Sequence, residues 1–234
     1  MDIGIFTICY NGYGRFAPQW CRSIARLTRK PKMAVIAIFG DSHGLTDKIQ
    51  TECREILHDI QFKIVHKGEH TTLGMDRNKA VEETTTEWIM LLSIDDIVLP
   101  IAIEEYEKYD RHDIDVIACP HFTIDLAGGE PILHKAPKDF SMNAMLDWRH
   151  YWLSPYSPFR RSFWEKHPYF DGELPNAQQT NSFAVHGARF ARTDIPCVNW
   201  IKRKESHHTR IRKTEEDQKL IDQFLDDRVK EITN

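Results

Sequence analysis

The stretch Trp88 to Pro100, WIMLLSIDDIVLP, constrains this chain more than any other. Its opening run Trp-Ile-Met-Leu-Leu has no alternation, the pattern of a strand buried on both faces, as in a parallel sheet covered by helices. The run stops at Ser93-Ile94-Asp95-Asp96 before apolar residues resume at Ile97. Adjacent carboxylates at the end of such a strand need a countercharge. In open α/β sheets ligands sit outside the carboxyl ends of the strands, which makes a divalent metal carrying a phosphorylated ligand one candidate. Solvated turn residues are the other, since Asp-Asp is also ordinary turn chemistry.

The flanking sequence repeats a strand-then-helix order. Ile3 to Cys9 predicts a buried strand, Tyr10 to Gly14 a turn, and Phe16 to Leu27 a helix with Trp20, Ile24 and Leu27 on one face. Met33 to Phe39 predicts a second strand, Leu45 to Leu57 a helix, Gln61 to His66 a third strand, and a helix begins near Leu73. This alternation predicts right-handed crossovers and an α/β fold with a mainly parallel sheet and helices on both faces. Beyond it, Ile101 to Tyr109 predicts a helix, Asp115 to Phe122 a strand, and Ile124 to Ala136 a hairpin. An aromatic-rich segment spans Trp148 to Tyr169, whose rings suit either a sugar platform or a core. Helices are expected from Arg160, over Asn181 to Phe190, and from about Glu215, with a late strand within Phe190 to Trp200.

A length of 234 residues accommodates a sizeable core in one body. A formal charge of -4 excludes a generally basic nucleic-acid binder, though a local basic patch remains open. No apolar run approaches the length of a membrane span and no signal-peptide pattern opens the chain, so a cytoplasmic protein is expected. The five cysteines, Cys9, Cys21, Cys53, Cys119 and Cys197, lack CxxC spacing and suit reduced thiols better than a disulfide frame or zinc site.

Four short motifs in order carry a resemblance: Thr7 with Tyr10-Asn11, Gly40-Asp41-Ser42, Leu73-Gly74-Met75-Asp76-Arg77-Asn78-Lys79-Ala80, and Glu87 through Asp96. Together they resemble the family 2 glycosyltransferases of the GT-A (Rossmann-like) fold, which move a sugar from a nucleotide diphosphate to an acceptor. The likeness is strongest over roughly the first 110 residues and continues through Pro158-Phe159-Arg160-Arg161 and Pro168-Tyr169-Phe170-Asp171-Gly172. It implies a single domain with a nucleotide-sugar half over 1–110 and an acceptor half over 111–234 that ends in a lid. It also implies a nucleotide-diphospho-sugar donor, typically a UDP-sugar, with Mn2+ or Mg2+ as cofactor. The acceptor (glycan, small molecule or modified nucleic acid) and the oligomeric state are not implied.

The resemblance assigns roles residue by residue. The family's Asp-X-Asp signature begins here with Ser93, which leaves Asp95 and Asp96 to hold the metal, and metal-free operation stays open. Asp41 falls where the family reads the base, with a helix cap as its alternative. Arg77 falls where the base or diphosphate is approached, with a surface helix arginine as its alternative. Thr7 and Tyr10 fall on the loop facing the nucleoside. In the basic run Lys202 to Lys213, KRKESHHTRIRK, the family places a mobile segment over the diphosphate. Arg203 and Arg210 would then meet phosphate, and His207 or His208 would complete the metal shell. A solvated basic loop and a nucleic-acid contact are the alternatives.

The resemblance implies, for an inverting member of the family, an acidic pair after the Phe-Asp-Gly turn that deprotonates the acceptor. The matching positions are Gln179-Thr180, neither of them acidic, and the nearest acids upstream are Asp171 and Glu173. Takeover by one of these, a retaining reaction and activation by the acceptor itself all remain open. The departures at Ser93 and Thr180 also fit a catalytically idle nucleotide-binding or protein-binding member of the fold. A nucleotidyltransferase or dinucleotide oxidoreductase is disfavoured, because neither a Gly-rich phosphate loop with a lysine nor GxGxxG is present.

Overall fold

The structure is a computed structural model that describes residues 1–10, 12–40, 44–141, 144, 153–172, 182–183 and 185–203. Asp41, Glu173, Thr180, His207, His208, Arg210 and the helix expected from Glu215 lie outside them.

The strands predicted from unbroken apolar runs form the middle of the main sheet. β1 (Ile3–Cys9) pairs in parallel with β2 (Met33–Ile38) on one side and β4 (Trp88–Leu91) on the other, and β2 pairs with β3 (Gln61–His66). Adding β6 (Val116–Ala118), β9 (Phe159–Arg160) and β10 (Phe190–Arg192) completes seven strands in the order β10-β6-β9-β4-β1-β2-β3. Only β9 runs antiparallel to its neighbours, so the sheet is mostly parallel as expected.

Both faces are covered, which is why β1 and β2 need no polar alternation. Along β1, Ile3, Ile5 and Cys9 pack on one face with Trp20 and Ile24 of α1 (Ala17–Ala25), Cys53 of α2 (Asp47–Ile56) and Tyr106 of α4 (Ala102–Glu107). Phe6 and Ile8 pack on the other with Ala80 and Val81 of α3 (Leu73–Glu82) and Phe163 and Trp164 of α5 (Arg161–Trp164). The helix starts follow capping chemistry: Thr46 Oγ1 accepts from Ile49 N before α2, and Thr72 Oγ1 accepts from Met75 N before α3.

Two expected strands are each split by a proline and shared between sheets. The segment 115–122 breaks at Pro120 into β6 and β7 (His121–Asp125), and the segment 190–200 breaks at Pro196 into β10 and β11 (Val198–Lys202). Proline cannot supply a ladder N–H, so each break ends one pairing and lets the chain re-aim. β7 and β11 join β5 (Ile97–Val98) and β8 (Ile132–His134) in a second sheet ordered β5-β11-β7-β8, and β7 with β8 is the expected hairpin. Among the described residues no helix is long and apolar enough to cross a membrane.

Candidate functional site

The strand order reverses between β1 and β4, since the chain winds from β1 to β2 and β3 on one side and reaches β4 on the other. The crevice outside the carboxyl ends of these two strands is the default ligand site of such a sheet. The Ser93 to Asp96 turn, Tyr10 and the amino end of α3 meet there.

Asp96 N donates to Ser93 O at 2.9 Å and closes a four-residue turn at the end of β4. Ile94 turns into the core, Asp95 takes the outer corner and Asp96 turns inward. The Asp96 carboxylate is fully engaged: Oδ2 accepts from Tyr156 Oη at 2.6 Å and Oδ1 from Ile201 N at 2.8 Å. The Ser93 hydroxyl bonds to it as well. Burial, then the neighbouring Asp95 charge, push its pKa up to about 8. Asp96 therefore ties the end of β4 to β11 and to Tyr156, and this geometry departs from an equal sharing of one metal by Asp95 and Asp96.

Asp95 faces a cation. Arg203 Nη1 lies 3.2 Å from Asp95 Oδ2 and donates to Asp95 O at 2.8 Å, while its guanidinium covers the Phe16 ring at 4.4 Å. Burial raises the Asp95 pKa and the Arg203 charge works against that rise. Among the described residues no cluster of three His, Cys, Asp or Glu side chains is placed to hold a metal.

Arg77 is buried rather than on the helix surface. Its guanidinium lies 5.4 Å from the Tyr169 ring, and burial lowers its pKa against the opposing influence of Tyr169, Tyr10 and Tyr156. The arginine thus sits among three tyrosines that come from β1, from the segment before β9 and from the turn after α5. Tyr10 closes the end of β1, with its ring centroid 6.2 Å from Phe39 and 4.9 Å from His70. Thr7 lies within β1 rather than on the loop after it: it is fully buried, and its hydroxyl donates to Ile8 O at 3.5 Å. A side chain two residues before the strand's end, packed inside the sheet, belongs to the core and not to the loop.

Asp171 is exposed and accepts from Thr72 Oγ1 at 2.6 Å, which fixes it over the amino end of α3. The whole turn around it is clasped to that helix. Asn78 Nδ2 donates to Tyr169 O at 2.8 Å, and Asn78 Oδ1 accepts from both Trp164 Nε1 and Tyr169 N at 2.9 Å. Gly74 N donates to Gly172 O at 3.0 Å, and a Cβ on Gly74 would stand 1.7 Å from Phe170 O. Only glycine permits that approach.

Sequence reasoning missed two residues of this constellation. Tyr156 was one aromatic among many, and its bond to Asp96 spans 60 residues of chain. His70 carried no spacing signal, yet it bridges Tyr10 and the buried Asp76. A second crevice of about 490 Å³ lies at the opposite end of the sheet, lined by Glu87, Asp110, Asp115, Arg160 and Arg189 among others. Its arginines are already paired with its acids, Arg189 with Asp115 at 2.8 Å and Arg160 with Glu87.

The glycosyl transferase family 2 model matches residues 5–195, which includes most of β1, the Ser93 to Asp96 turn and the clasped Asp171 turn. The chain belongs to glycosyl transferase family 2. Among curated proteins, an uncharacterised glycosyltransferase of Methanocaldococcus jannaschii is 25% identical over 128 residues, covering 54% of this chain and 43% of that protein. Among solved structures, S. aureus TarS residues 1–349 in complex with UDP-GlcNAc superposes with a TM-score of 0.70 at 15% identity, over 89% of this chain and 61% of that one. The mannosyltransferase PcManGT of Pyrobaculum calidifontis, in complex with GDP-Man and Mn2+, superposes with a TM-score of 0.65 at 16% identity, over 91% of this chain and 60% of that one. This family 2 chain therefore has the GT-A fold, and it spans less than two thirds of the length of these relatives.

Proposed function

We propose that this chain transfers a sugar from a nucleotide-diphospho-sugar to an acceptor hydroxyl with the help of a divalent cation. The observation that carries the reading is Asp95, held at the outer corner of the turn that ends β4, in the crevice where the strand order reverses. TarS with UDP-GlcNAc and PcManGT with GDP-Man and Mn2+ share the fold, which supports a nucleotide-sugar donor. Residues 1–110 form the donor half of one domain, and residues 111–234 form the acceptor half with the C-terminal lid.

The donor set suits a cation at Asp95, because its carboxylate already draws the Arg203 guanidinium. Mn2+ or Mg2+ would be held there by Asp95, with His208 or His207 as the further ligand from the lid, and Asp96 supporting the turn from behind. Such an ion supplies Lewis-acid stabilisation of the departing diphosphate. The residues of the chain do the rest. Tyr10 and Asp41 receive the nucleoside, with Thr7 inside the strand beneath them. The Arg77 guanidinium places positive charge at the carboxyl ends of the strands. Arg203 and Arg210 neutralise phosphate oxygens, where each charge-assisted contact contributes about 1.5–3 kcal/mol. Asp171 positions the acceptor-side turn through Thr72, Asp171 or Glu173 would take the acceptor proton as carboxylate base, and Thr180 would offer a hydroxyl beside the acceptor.

The deciding experiment is a screen of nucleotide sugars for nucleoside diphosphate release, with and without Mn2+. Release from at least one donor, lost in Asp95→Ala, is expected. Failure of the chain to bind any nucleoside diphosphate would refute the reading.

A further inference from the structure

Asp76, in the first turn of α3, has a fully buried side chain that is held by donors on both oxygens. Oδ1 accepts from Thr71 Oγ1 at 2.9 Å and from Thr71 N at 3.3 Å, and Oδ2 meets His70 Nδ1 at 2.7 Å. A carboxylate is an acceptor, so Nδ1 carries the hydrogen and donates it to Asp76. The ring has one other polar atom, Nε2. Nδ1 is engaged with Asp76 and the side chain is 44% exposed, so a ligand that meets the ring edge meets it at Nε2.

The ring does not face open solvent alone. Its centroid lies 4.9 Å from that of Tyr10, edge to face, at the carboxyl end of β1. The loop that carries His70 is pinned across the sheet as well: Lys67 N donates to Ile38 O at 2.9 Å, and Gly40 N donates to Gly68 O at 2.9 Å. The segment that leads to His70 is therefore tied to Gly40, the residue before Asp41 in sequence. The ends of β1, β2 and β3 bring these pieces together, although more than 20 residues separate each from the next.

We infer that His70 is a nucleobase-reading residue of the donor site, with Asp76 as the positioning residue that fixes its tautomer; the inference rests on the donor reading above. A phosphate presents acceptors alone, whereas the polar edge of a base presents carbonyl acceptors and N–H donors side by side. A ring atom whose hydrogen-bonding sense is set by a buried carboxylate reads the second kind of surface. The half-buried ring of Tyr10, backed by the buried Phe39 with centroids 6.2 Å apart, supplies stacking area at the same end of the sheet. The amino end of α3 has its own cap in Thr72, which accepts from Met75 N.

The test is calorimetric titration of wild type, His70→Ala, His70→Gln and Asp76→Asn with UDP, GDP, ADP and CDP and with inorganic pyrophosphate, each with Mn2+. Wild type should bind at least one nucleoside diphosphate more tightly than pyrophosphate. If it binds none of them, the donor reading itself fails. His70→Ala should lose about tenfold in affinity for the preferred nucleoside diphosphate and narrow its margin over the other bases, with pyrophosphate affinity unchanged. His70→Gln keeps a polar group at the reach of Nε2 and should restore most of the loss. Asp76→Asn lets the side chain donate to Nδ1 and moves the ring hydrogen to Nε2, so it should shift the order of preference among the bases. Equal losses for pyrophosphate and nucleoside diphosphate would assign His70 to phosphate or to structure and overturn the inference. Unchanged affinities and base preference in His70→Ala would overturn it outright.

Discussion

Replacing Asp96 and Asp95 in turn by alanine separates the two carboxylates by what they hold. Asp96→Ala removes the acceptor for Tyr156 Oη at 2.6 Å and for Ile201 N at 2.8 Å, both of them buried. Each stranded donor costs about 1–3 kcal/mol. Part of this is offset, because alanine also relieves the burial of an acid whose pKa has been pushed up to about 8. A net loss of about 2–4 kcal/mol follows. At about 2–4 °C per kcal/mol for a chain of this size, Tm should fall by roughly 5–15 °C. Asp95→Ala breaks an ion pair with Arg203 at the corner of the turn. The pair is largely buried, but Arg203 keeps Asp95 O, Ile201 O and the Phe16 ring as partners, so the loss of the carboxylate costs about 1 kcal/mol and Tm should fall by about 2–4 °C. Tyr156→Phe supplies the control: in a double-mutant cycle its effect should couple to that of Asp96→Ala and add independently to that of Asp95→Ala. Thermal unfolding followed by circular dichroism decides the matter, alongside nucleoside diphosphate release. Equal Tm losses in the two aspartate variants, or additivity of Tyr156→Phe with Asp96→Ala, would refute the division of labour.

Other variants probe the frame around the site. Gly74→Ala drives a Cβ to 1.7 Å from Phe170 O, so it should cost about 3 kcal/mol and expose the 168–172 turn to protease; an unchanged urea midpoint would contradict the close approach. Asn78→Ala strands Trp164 Nε1, Tyr169 N and Tyr169 O together, with an expected loss of about 2–4 kcal/mol by chemical denaturation; a wild-type midpoint would remove Asn78 as the clasp. Burial, with His134 stacked at 4.8 Å, lowers the His121 pKa from 6.5 to about 4. The unfolded chain then binds more protons between these values, so the stability His121 contributes is complete above about pH 6.5 and lost as pH falls towards 4. The slope amounts to about 3 kcal/mol over that window, and His121→Leu should flatten it; an unaltered slope would place the acid sensitivity elsewhere.

The main sheet was legible because its central strands are short apolar runs between turn signals. β1 and β3 begin and end where the pattern places them. The second sheet was less legible, since its strands reuse chain that the pattern joins to the first. The apolar residues on the two sides of Pro120 belong to different sheets, as do those on the two sides of Pro196. Proline marks the interruption but not the change of partner, which is set by long-range pairing such as Val198 with His121. Arg77 shows the same limit from another side. Its helix position fits a solvated residue, and its burial comes from Tyr169, which is supplied by a turn 92 residues later.

The same logic explains why the Asp95-Asp96 doublet could not be apportioned from its spelling. Neighbouring residues in a closed turn point in different directions, so two carboxylates in sequence are not two carboxylates in one site. What decides between them is the acceptor demand of distant groups. Ile201 lies on β11, in the second sheet, and its N–H comes to a carboxylate in the turn between β4 of the first sheet and β5 of the second. Tyr156 enters with the segment before β9 and donates to the same group. Asp96 is therefore the point at which both sheets are tied to the turn. Arg203 follows two residues after Ile201, and it meets Asp95 on the outer side. A shift of β11 that displaced Ile201 from Asp96 would carry Arg203 away from Asp95, so the fully buried carboxylate controls how the outer one is presented.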